Sequence, residues 1–242
     1  MKNIIISTIL IITILATLSF SGCNRAGSAM NGSGVIIDKT LQVTDFSDID
    51  AEGPFALEII QSDIYNVILS VDENLISRVL VSSGNRTLKL RIQAPASFFP
   101  TNLKIKIGMP IIKNLVLADE AMVSLSGFPR LDVFNLVLKQ ASSLNGYLEA
   151  GNIDFNVSGK SLVNLKGKAQ RLQLECSGES NLDLIDFILS SANVRVIGAS
   201  EANLTVNGRF DVVMDDASKI LYSGNPVFYN TSISGDSIMS RK

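Results

Sequence analysis

The chain has 242 residues, 46% of them hydrophobic, and its formal net charge is −2 from 21 basic and 23 acidic side chains. This composition supports a sizeable apolar core and excludes a globally disordered chain. The near balance of charge gives no basic face, so we expect no nucleic-acid partner. The sequence lacks histidine, the side chain that most often carries acid–base catalysis, which disfavours an enzyme. We expect no cofactor and no metal site.

The first 22 residues are typical of a secretory signal peptide. Lys2 supplies a positive charge, a largely apolar run covers residues 4–20, and Ser21 and Gly22 precede Cys23. These are the features of an export signal that is removed from the mature protein. The end of the segment resembles a bacterial lipobox, which implies that Cys23 carries lipid. An uncleaved anchor is the alternative, because an apolar run of about 17 residues lies at the lower limit for spanning a bilayer.

Residues 23–33 are small and polar without periodicity, which predicts a flexible tether. Asn24 follows the lipidated position, whereas an Asp there retains enterobacterial lipoproteins in the inner membrane. By this resemblance we expect the outer membrane, with the domain on the periplasmic or the surface side.

Once Cys23 carries lipid, Cys176 has no intramolecular disulfide partner. We expect Cys176 to be a small buried hydrophobic residue, not a reactive thiol.

Residues 34–242 are predicted to form one all-β domain, and its first part, residues 34–110, is the less regular. Short alternating segments predict strands there, and Pro95 and Pro100 indicate a loop between two of them. No linker-like stretch separates this part from the rest. We therefore interpret residues 34–110 as the irregular first coils of the domain.

Residues 111–226 repeat a unit of strand, turn and strand. A small residue recurs at the turn at intervals of 21, 19, 19, 20 and 18 residues: Ala121, Ser142, Ser161, Ser180, Ser200 and Ser218. So short a unit cannot hold both a helix and a strand, and its period-two alternation indicates half-buried strands. The near-constant period predicts a parallel β-helix, or β-solenoid, with coils of about 19 residues, in preference to an antiparallel sandwich of hairpins. Residues 227–242 are expected to form a C-terminal cap or tail.

Stacked coils would place pairs of apolar residues in continuous internal ladders. The expected pairs are Leu115/Leu117, Leu136/Leu138, Phe155/Val157, Leu172/Leu174, Val194/Val196 and Val212/Met214. A single hairpin of this size cannot bury its apolar face alone, so stacking of coil on coil is what would stabilise each unit.

The polar residues that could form a site also have structural explanations. The acidic pairs are Asp119/Glu120, Asp183/Asp186 and Asp215/Asp216. Aspartate favours turns because it hydrogen-bonds its own backbone, and no cluster supplies the six or more oxygens that calcium prefers. Asparagines recur near the second strand of the unit, and we expect an amide ladder rather than ligand contacts. They are Asn145, Asn164, Asn181 and Asn203.

A series of short motifs resembles one known family. The motifs are Gly32–Gly34, Phe46–Gly53, Glu58–Gln61, Tyr65–Val67, Val71–Leu75 and Asn85–Leu88, followed by the turn repeats. In this order, over about residues 34–226, they resemble the putative auto-transporter adhesin, head GIN domain family. The resemblance implies a secreted or lipid-anchored bacterial protein with a right-handed β-solenoid domain, and it brings no catalytic residues to transfer. The tripeptide Gly-Ile-Asn itself does not occur in this chain.

We therefore expect a non-catalytic, membrane-anchored lipoprotein whose β-solenoid head binds, adheres to or scaffolds the cell envelope. Its expected partners are the membrane, through Cys23, and an envelope glycan or protein. The alternative is a carbohydrate-active enzyme, a polysaccharide lyase or hydrolase, of the parallel β-helix type. An enzyme would bring at least two ionisable side chains together in one groove, whereas in a scaffold they would be scattered.

Overall fold

Alternating apolar side chains make this chain fold as strands, each with one face turned inward. The computed structural model describes residues 29–93 and 98–242. Strands account for 68% of the structure and helix for 3%, and the stacked coils form a β-solenoid of about seven turns, which confirms the predicted fold class. The one helical segment in the described ranges, a 3-10 helix at Glu73–Arg78, is too short to cross a membrane.

The strands of the described residues are numbered in chain order. They are β1 (Met30–Asn31), β2 (Ile36–Leu41), β3 (Asp48–Glu52), β4 (Ala56–Gln61), β5 (Asn66–Asp72), β6 (Val79–Gly84), β7 (Thr87–Ile92), β8 (Phe98–Phe99), β9 (Leu103–Met109), β10 (Asn114–Ala118), β11 (Met122–Leu138), β12 (Ser143–Val157), β13 (Leu162–Cys176), β14 (Asn181–Val196), β15 (Glu201–Val206), β16 (Arg209–Met214), β17 (Lys219–Ser223), β18 (Val227–Ile233) and β19 (Ile238–Arg241).

Each regular coil has three straight segments. In β13, buried and exposed residues alternate, except at two bends, one near Gly167 and one where Gln170 and Arg171 are both exposed. Stacking repeats these segments as three faces. Face A holds residues 172–176 and their counterparts in other coils, face B holds residues 162–165, and a short face between them holds residues 167–169. Neighbouring coils pair in parallel along β11, β12, β13 and β14.

The internal ladder confirms the predicted pairs in every coil but one. Leu136 pairs with Phe155, Phe155 with Leu174, and Leu174 with Val194. The expected pair Leu172/Leu174 was therefore wrong by two residues, since the ladder contains Leu174 and Cys176, while Leu172 pairs with Ile153 and Ala192. All of these side chains are buried. A shift of two residues keeps every side chain on the same face, so alternation alone could not reveal it.

The small turn residues stack at one corner of the solenoid, as predicted. Ser142, Ser161, Ser180, Ser200 and Ser218 are all buried, as is Ala121. The carbonyl oxygen of each accepts a hydrogen bond from a backbone N–H of the following coil. For example, the carbonyl oxygen of Ser180 accepts from the N–H of Glu201 at 2.9 Å. The N–H of Ser180 donates to the hydroxyl of Ser200 at 3.3 Å. The serines are therefore structural.

The residue two positions before each small turn residue adopts a left-handed backbone conformation, which explains why glycine recurs there. Gly159, Gly178 and Gly198 have φ between +73° and +80°, and Gln140 adopts φ +53° at the equivalent position. A Cβ on Gly178 would lie 2.7 Å from the carbonyl oxygen of Gly159 in the coil before it. Glycine is needed at Gly178 both for its φ and for this close approach between coils.

The N-terminal part departs from parallel stacking. β2 pairs antiparallel with β5, β5 pairs antiparallel with β9, and β6 pairs antiparallel with β7. β9 in turn pairs in parallel with β4, which stacks on β11 and so joins this part to the regular coils. Residues 30–93 and 98–110 thus cover one end of the stack with mixed pairing.

A buried carboxylate anchors this covered end. Asp72 is fully buried, and its side chain accepts hydrogen bonds from the N–H groups of Gly34, Thr101 and Asn102 at 2.9–3.0 Å. Burial alone would raise the pKa of Asp72, but hydrogen bonds from the Thr101 hydroxyl and from these N–H groups hold it below its ordinary value. The carboxylate thereby ties the residues after β1 to the residues after β8.

The other end of the stack is a further coil. The segment expected to be a cap or tail forms β18 and β19, which pair in parallel with β16 and β17. Every residue of β18 is exposed, including Phe228 and Tyr229.

Candidate functional site

Face A carries an outward row of polar residues at the same position in successive coils. The row contains Asp48, Asn114, Asn135, Asp154, Gln173, Asn193 and Asp211. The amide of Asn135 donates to the Asn114 oxygen at 2.7 Å, and the amide of Asn230 in the last coil donates to Asp211, also at 2.7 Å. Our sequence reasoning missed this row. From Asn114 to Asp211 its spacings are 21, 19, 19, 20 and 18, the same series as at the turn, and this signal could have found it.

The amide ladder predicted on face B has a different membership. Asn145 pairs with Asn164, Asn164 with Asp183, and Asp183 with Asn203. Asn181 was wrongly included, since it pairs with Leu162 and Glu201 in the next row. It follows the turn residue Ser180 directly, whereas Asn164 lies three residues after Ser161, so a recurring residue type misled the register.

A groove of about 460 Å³ lies along the short face and the bend beside it. We call it the short-face groove. Four ionisable side chains line it, Arg130, Asp132, Glu149 and Lys168, together with apolar residues such as Ile188. An enzyme of this type was expected to gather at least two ionisable side chains in one groove, and this groove does so. The residues are not among the candidates predicted from the sequence.

The chemistry of Glu149 is that of a fixed anion. The Tyr147 hydroxyl donates to one carboxylate oxygen at 2.5 Å, and the Lys168 ammonium lies 3.1 Å from the other. These two contacts, the tyrosine first, lower the pKa of Glu149. A general acid in glycoside hydrolysis needs a raised pKa, so Glu149 is unsuited to that role.

A second groove of about 470 Å³ lies on the other side of the bend, and we call it the arginine groove. It is lined by Arg171, Gln173, Ser191, Asn193, Arg209 and Asp211, among others. The two grooves adjoin along the chain, because Gln170 and Ser190 line the first and Arg171 and Ser191 the second.

The predicted acidic pairs have structural roles. Asp119 and Asp216 both adopt left-handed backbone at the turn corner, and five coil spacings separate them, about 24 Å. The N–H of Asp216 and the Ser234 hydroxyl both donate to Asp215, and these bonds lower the pKa of Asp215. Of the remaining pair, Asp183 accepts from the N–H of Ile185 and Asp186 forms an ion pair with Lys166 at 3.0 Å.

Of the two predicted roles for cysteines, the structure bears on that of Cys176 only. Cys23, the predicted lipidation site, lies outside the described residues, as do the signal peptide and most of the tether. Cys176 is only 1% exposed and lies inside the ladder, and burial raises the pKa of its thiol to about 11. The prediction that Cys176 is buried is confirmed, and its low reactivity stays a prediction. Within residues 29–93 and 98–242, no group of three or more acidic or cysteine side chains is arranged to hold a metal ion.

Known structures share this fold. The chain is similar to a putative adhesin from Bacteroides fragilis (TM-score 0.79) and a putative lipid binding protein from Parabacteroides distasonis (TM-score 0.72). It is also similar to a putative adhesin from Parabacteroides merdae (TM-score 0.69). Each is 18% identical to this chain, and each alignment covers 88% of this chain and 99% of the other. Comparison with curated proteins gives no match.

The family follows from the sequence itself. A family model matches residues 45–226, which contain the strands from β3 to β17. That span is more than half of the chain, and it contains the turn repeats and all the motifs given above except Gly32–Gly34. The chain belongs to the family described as putative auto-transporter adhesin, head GIN domain.

Proposed function

We propose that this protein is a lipid-anchored, non-catalytic recognition module of the bacterial cell envelope, which binds a glycan through the adjoining short-face and arginine grooves. Lipid on Cys23 and the tether of residues 23–33 would hold the head at the outer membrane. The tether would let the solenoid turn its grooves toward a ligand.

One observation carries the binding role. The two grooves together extend around one bend of a stack whose strands are locked by parallel pairing on both sides. Polar side chains on such a rigid scaffold are pre-organised, which lowers the cost of ordering them around a ligand. The family name, an adhesin head, supports a role in attachment.

The binding role is tested with the soluble chain 24–242 in a pull-down against envelope fractions and a glycan array. We expect retention by at least one envelope glycan fraction, and loss of retention when Lys168 and Arg171, one from each groove, are both changed to glutamine. Failure to bind any fraction would refute the binding role.

The anchor is tested separately by metabolic labelling with palmitate. The wild-type protein should take up the label, and Cys23→Ser should not. An unlabelled wild-type protein would refute lipidation and favour the uncleaved anchor.

A carbohydrate-active enzyme is the second candidate, and the four ionisable side chains of the short-face groove favour it. Lys168 and Arg130 could neutralise a substrate carboxylate there. Release of reducing or unsaturated ends from acidic polysaccharides by wild-type protein, but not by Lys168→Gln, would establish this alternative and overturn the non-catalytic proposal.

A further inference from the structure

Arg209 is held in a fixed orientation at one end of the arginine groove. Its guanidinium forms a two-point ion pair with the Asp211 carboxylate, with an Nη2–Oδ1 distance of 3.0 Å. Its central carbon lies 4.5 Å from the centre of the Tyr229 ring. Asp211 is itself only 8% exposed and also accepts hydrogen bonds from the backbone and side chain of Asn230.

The ion pair does not use up the donors of Arg209. A guanidinium has five N–H bonds, and the contact with Asp211 engages two of them. The side chain remains 54% exposed. The guanidinium is therefore held in place and still presents N–H donors to solvent. Arginine uses such paired donors to bind a carboxylate through two hydrogen bonds.

A second arginine stands in line with the first. Arg171 pairs in register with Ser191, and in the next coil Ala192 pairs with Phe210, so Arg171 and Arg209 occupy equivalent positions two coils apart. Two strand spacings separate them by about 9.6 Å. Arg171 is exposed and forms no ion pair with any residue in the described ranges.

Neutral polar groups occupy the groove between the two arginines. Ser191 lies in the same row, and Gln173 and Asn193 lie beside it on face A. Hydroxyl and amide groups both donate and accept hydrogen bonds, which suits sugar hydroxyls. Tyr229, 63% exposed, borders the Arg209 end and offers an aromatic surface for sugar C–H groups.

We infer that the arginine groove binds an acidic polysaccharide that runs along the stacking axis, with carboxylates on alternate sugar rings held by Arg171 and Arg209. A pyranose ring is about as long as one strand spacing, so each coil would meet one ring. A lipid would require apolar lining, whereas the groove is mainly polar. This inference rests on the proposed function and names the ligand class for one part of its site.

The test is isothermal titration of the soluble chain 24–242 with oligogalacturonate and, separately, with a neutral galactan oligosaccharide of equal length. We expect binding of the acidic ligand only. Arg171→Gln and Arg209→Gln should each weaken it about 10- to 100-fold, the loss of a charged hydrogen-bonding partner. Lys219→Gln, an equal change of charge at the turn corner where Lys219 is exposed, should leave the affinity unchanged.

The outcomes separate this inference from the proposed function. Equal affinity for the neutral oligosaccharide, equal affinity for polyglutamate, or insensitivity to either arginine variant with an unchanged thermal melt would overturn the acidic-glycan assignment. If envelope fractions still bind in any of these cases, the proposed function stands. If the fractions also fail to bind, the proposed function falls with it. Arg171→Gln keeps the test valid even if Arg209→Gln destabilises the last coils.

Discussion

Replacing Leu174 by alanine tests the internal ladder in the middle of the regular coils. The Leu174 side chain is fully buried between Phe155 and Val194 of the neighbouring coils. Strand pairing on both sides fixes the spacing of these coils near 4.8 Å, so the coils cannot close over the missing atoms. A Leu→Ala change in a core costs about 2–5 kcal/mol, and we expect the upper half of that range because the cavity persists.

The matched control is the next residue along the strand. Glu175 is exposed and lies opposite Asn156 and Arg195, so Glu175→Gln should change the free energy of unfolding by less than about 0.5 kcal/mol. Urea denaturation of both variants measures the difference. Leu174→Asp should fail to fold, since an unpaired buried carboxylate costs several kcal/mol out of a total of about 5–15. A larger loss from Glu175→Gln than from Leu174→Ala would mean that the inward and outward faces are reversed.

Three further predictions concern the turn, the covered end and the buried thiol. Gly178→Ala should be clearly less stable in urea than Gly34→Ala, since both sites have φ near +80° but only Gly178 meets another coil; equal losses would contradict the stacking of the turns. The pKa of Asp72 is lowered in the folded state, so its contribution to stability is present above the unfolded pKa near 4 and is lost as the pH falls through the folded pKa. The difference in the free energy of unfolding between wild type and Asp72→Asn should therefore shrink on acidification. A difference that does not change with pH would refute this. Cys176 in the chain 24–242 should resist alkylation at neutral pH until urea unfolds the protein, and rapid labelling of the native state would show that it is accessible.

The regular coils were predictable because one small set of residues governs them. The turn series from Ala121 to Ser218 repeats the geometry of a single corner, and alternation assigns inward and outward sides from there. The N-terminal part has no such repeat. Antiparallel pairing of β2 with β5 joins residues about 30 positions apart, and no local pattern encodes that choice. The carboxylate of Asp72 that secures this end looks, in sequence, like an ordinary acidic residue at the end of a strand.

The sites were less predictable than the fold, and the grooves show why. Arg130, Glu149 and Lys168 line the short-face groove and Arg171 lies at the bend beside it, where the period of two is interrupted and a residue count no longer tells which side chain points outward. Their convergence depends on the register between coils. The acidic pairs seen in sequence lie elsewhere: Asp119/Glu120 and Asp215/Asp216 are at the turn corner, and no member of the three pairs lines either groove. In a solenoid, a site is assembled across coils.

The row that contains the two arginines places cationic side chains in only two coils of the stack. Its members in successive coils are Val133, Asn152, Arg171, Ser191, Arg209 and Val227. Both cations stand in the interior of this series, and an exposed valine ends it on either side. The inward residues of the same coils hold the register, so the outward row can vary without cost to the core. In this row, cationic residues occur only in two alternate coils. This favours a ligand with repeated, spaced anionic groups over one with a single charge, because one carboxylate could bind only one of the two arginines.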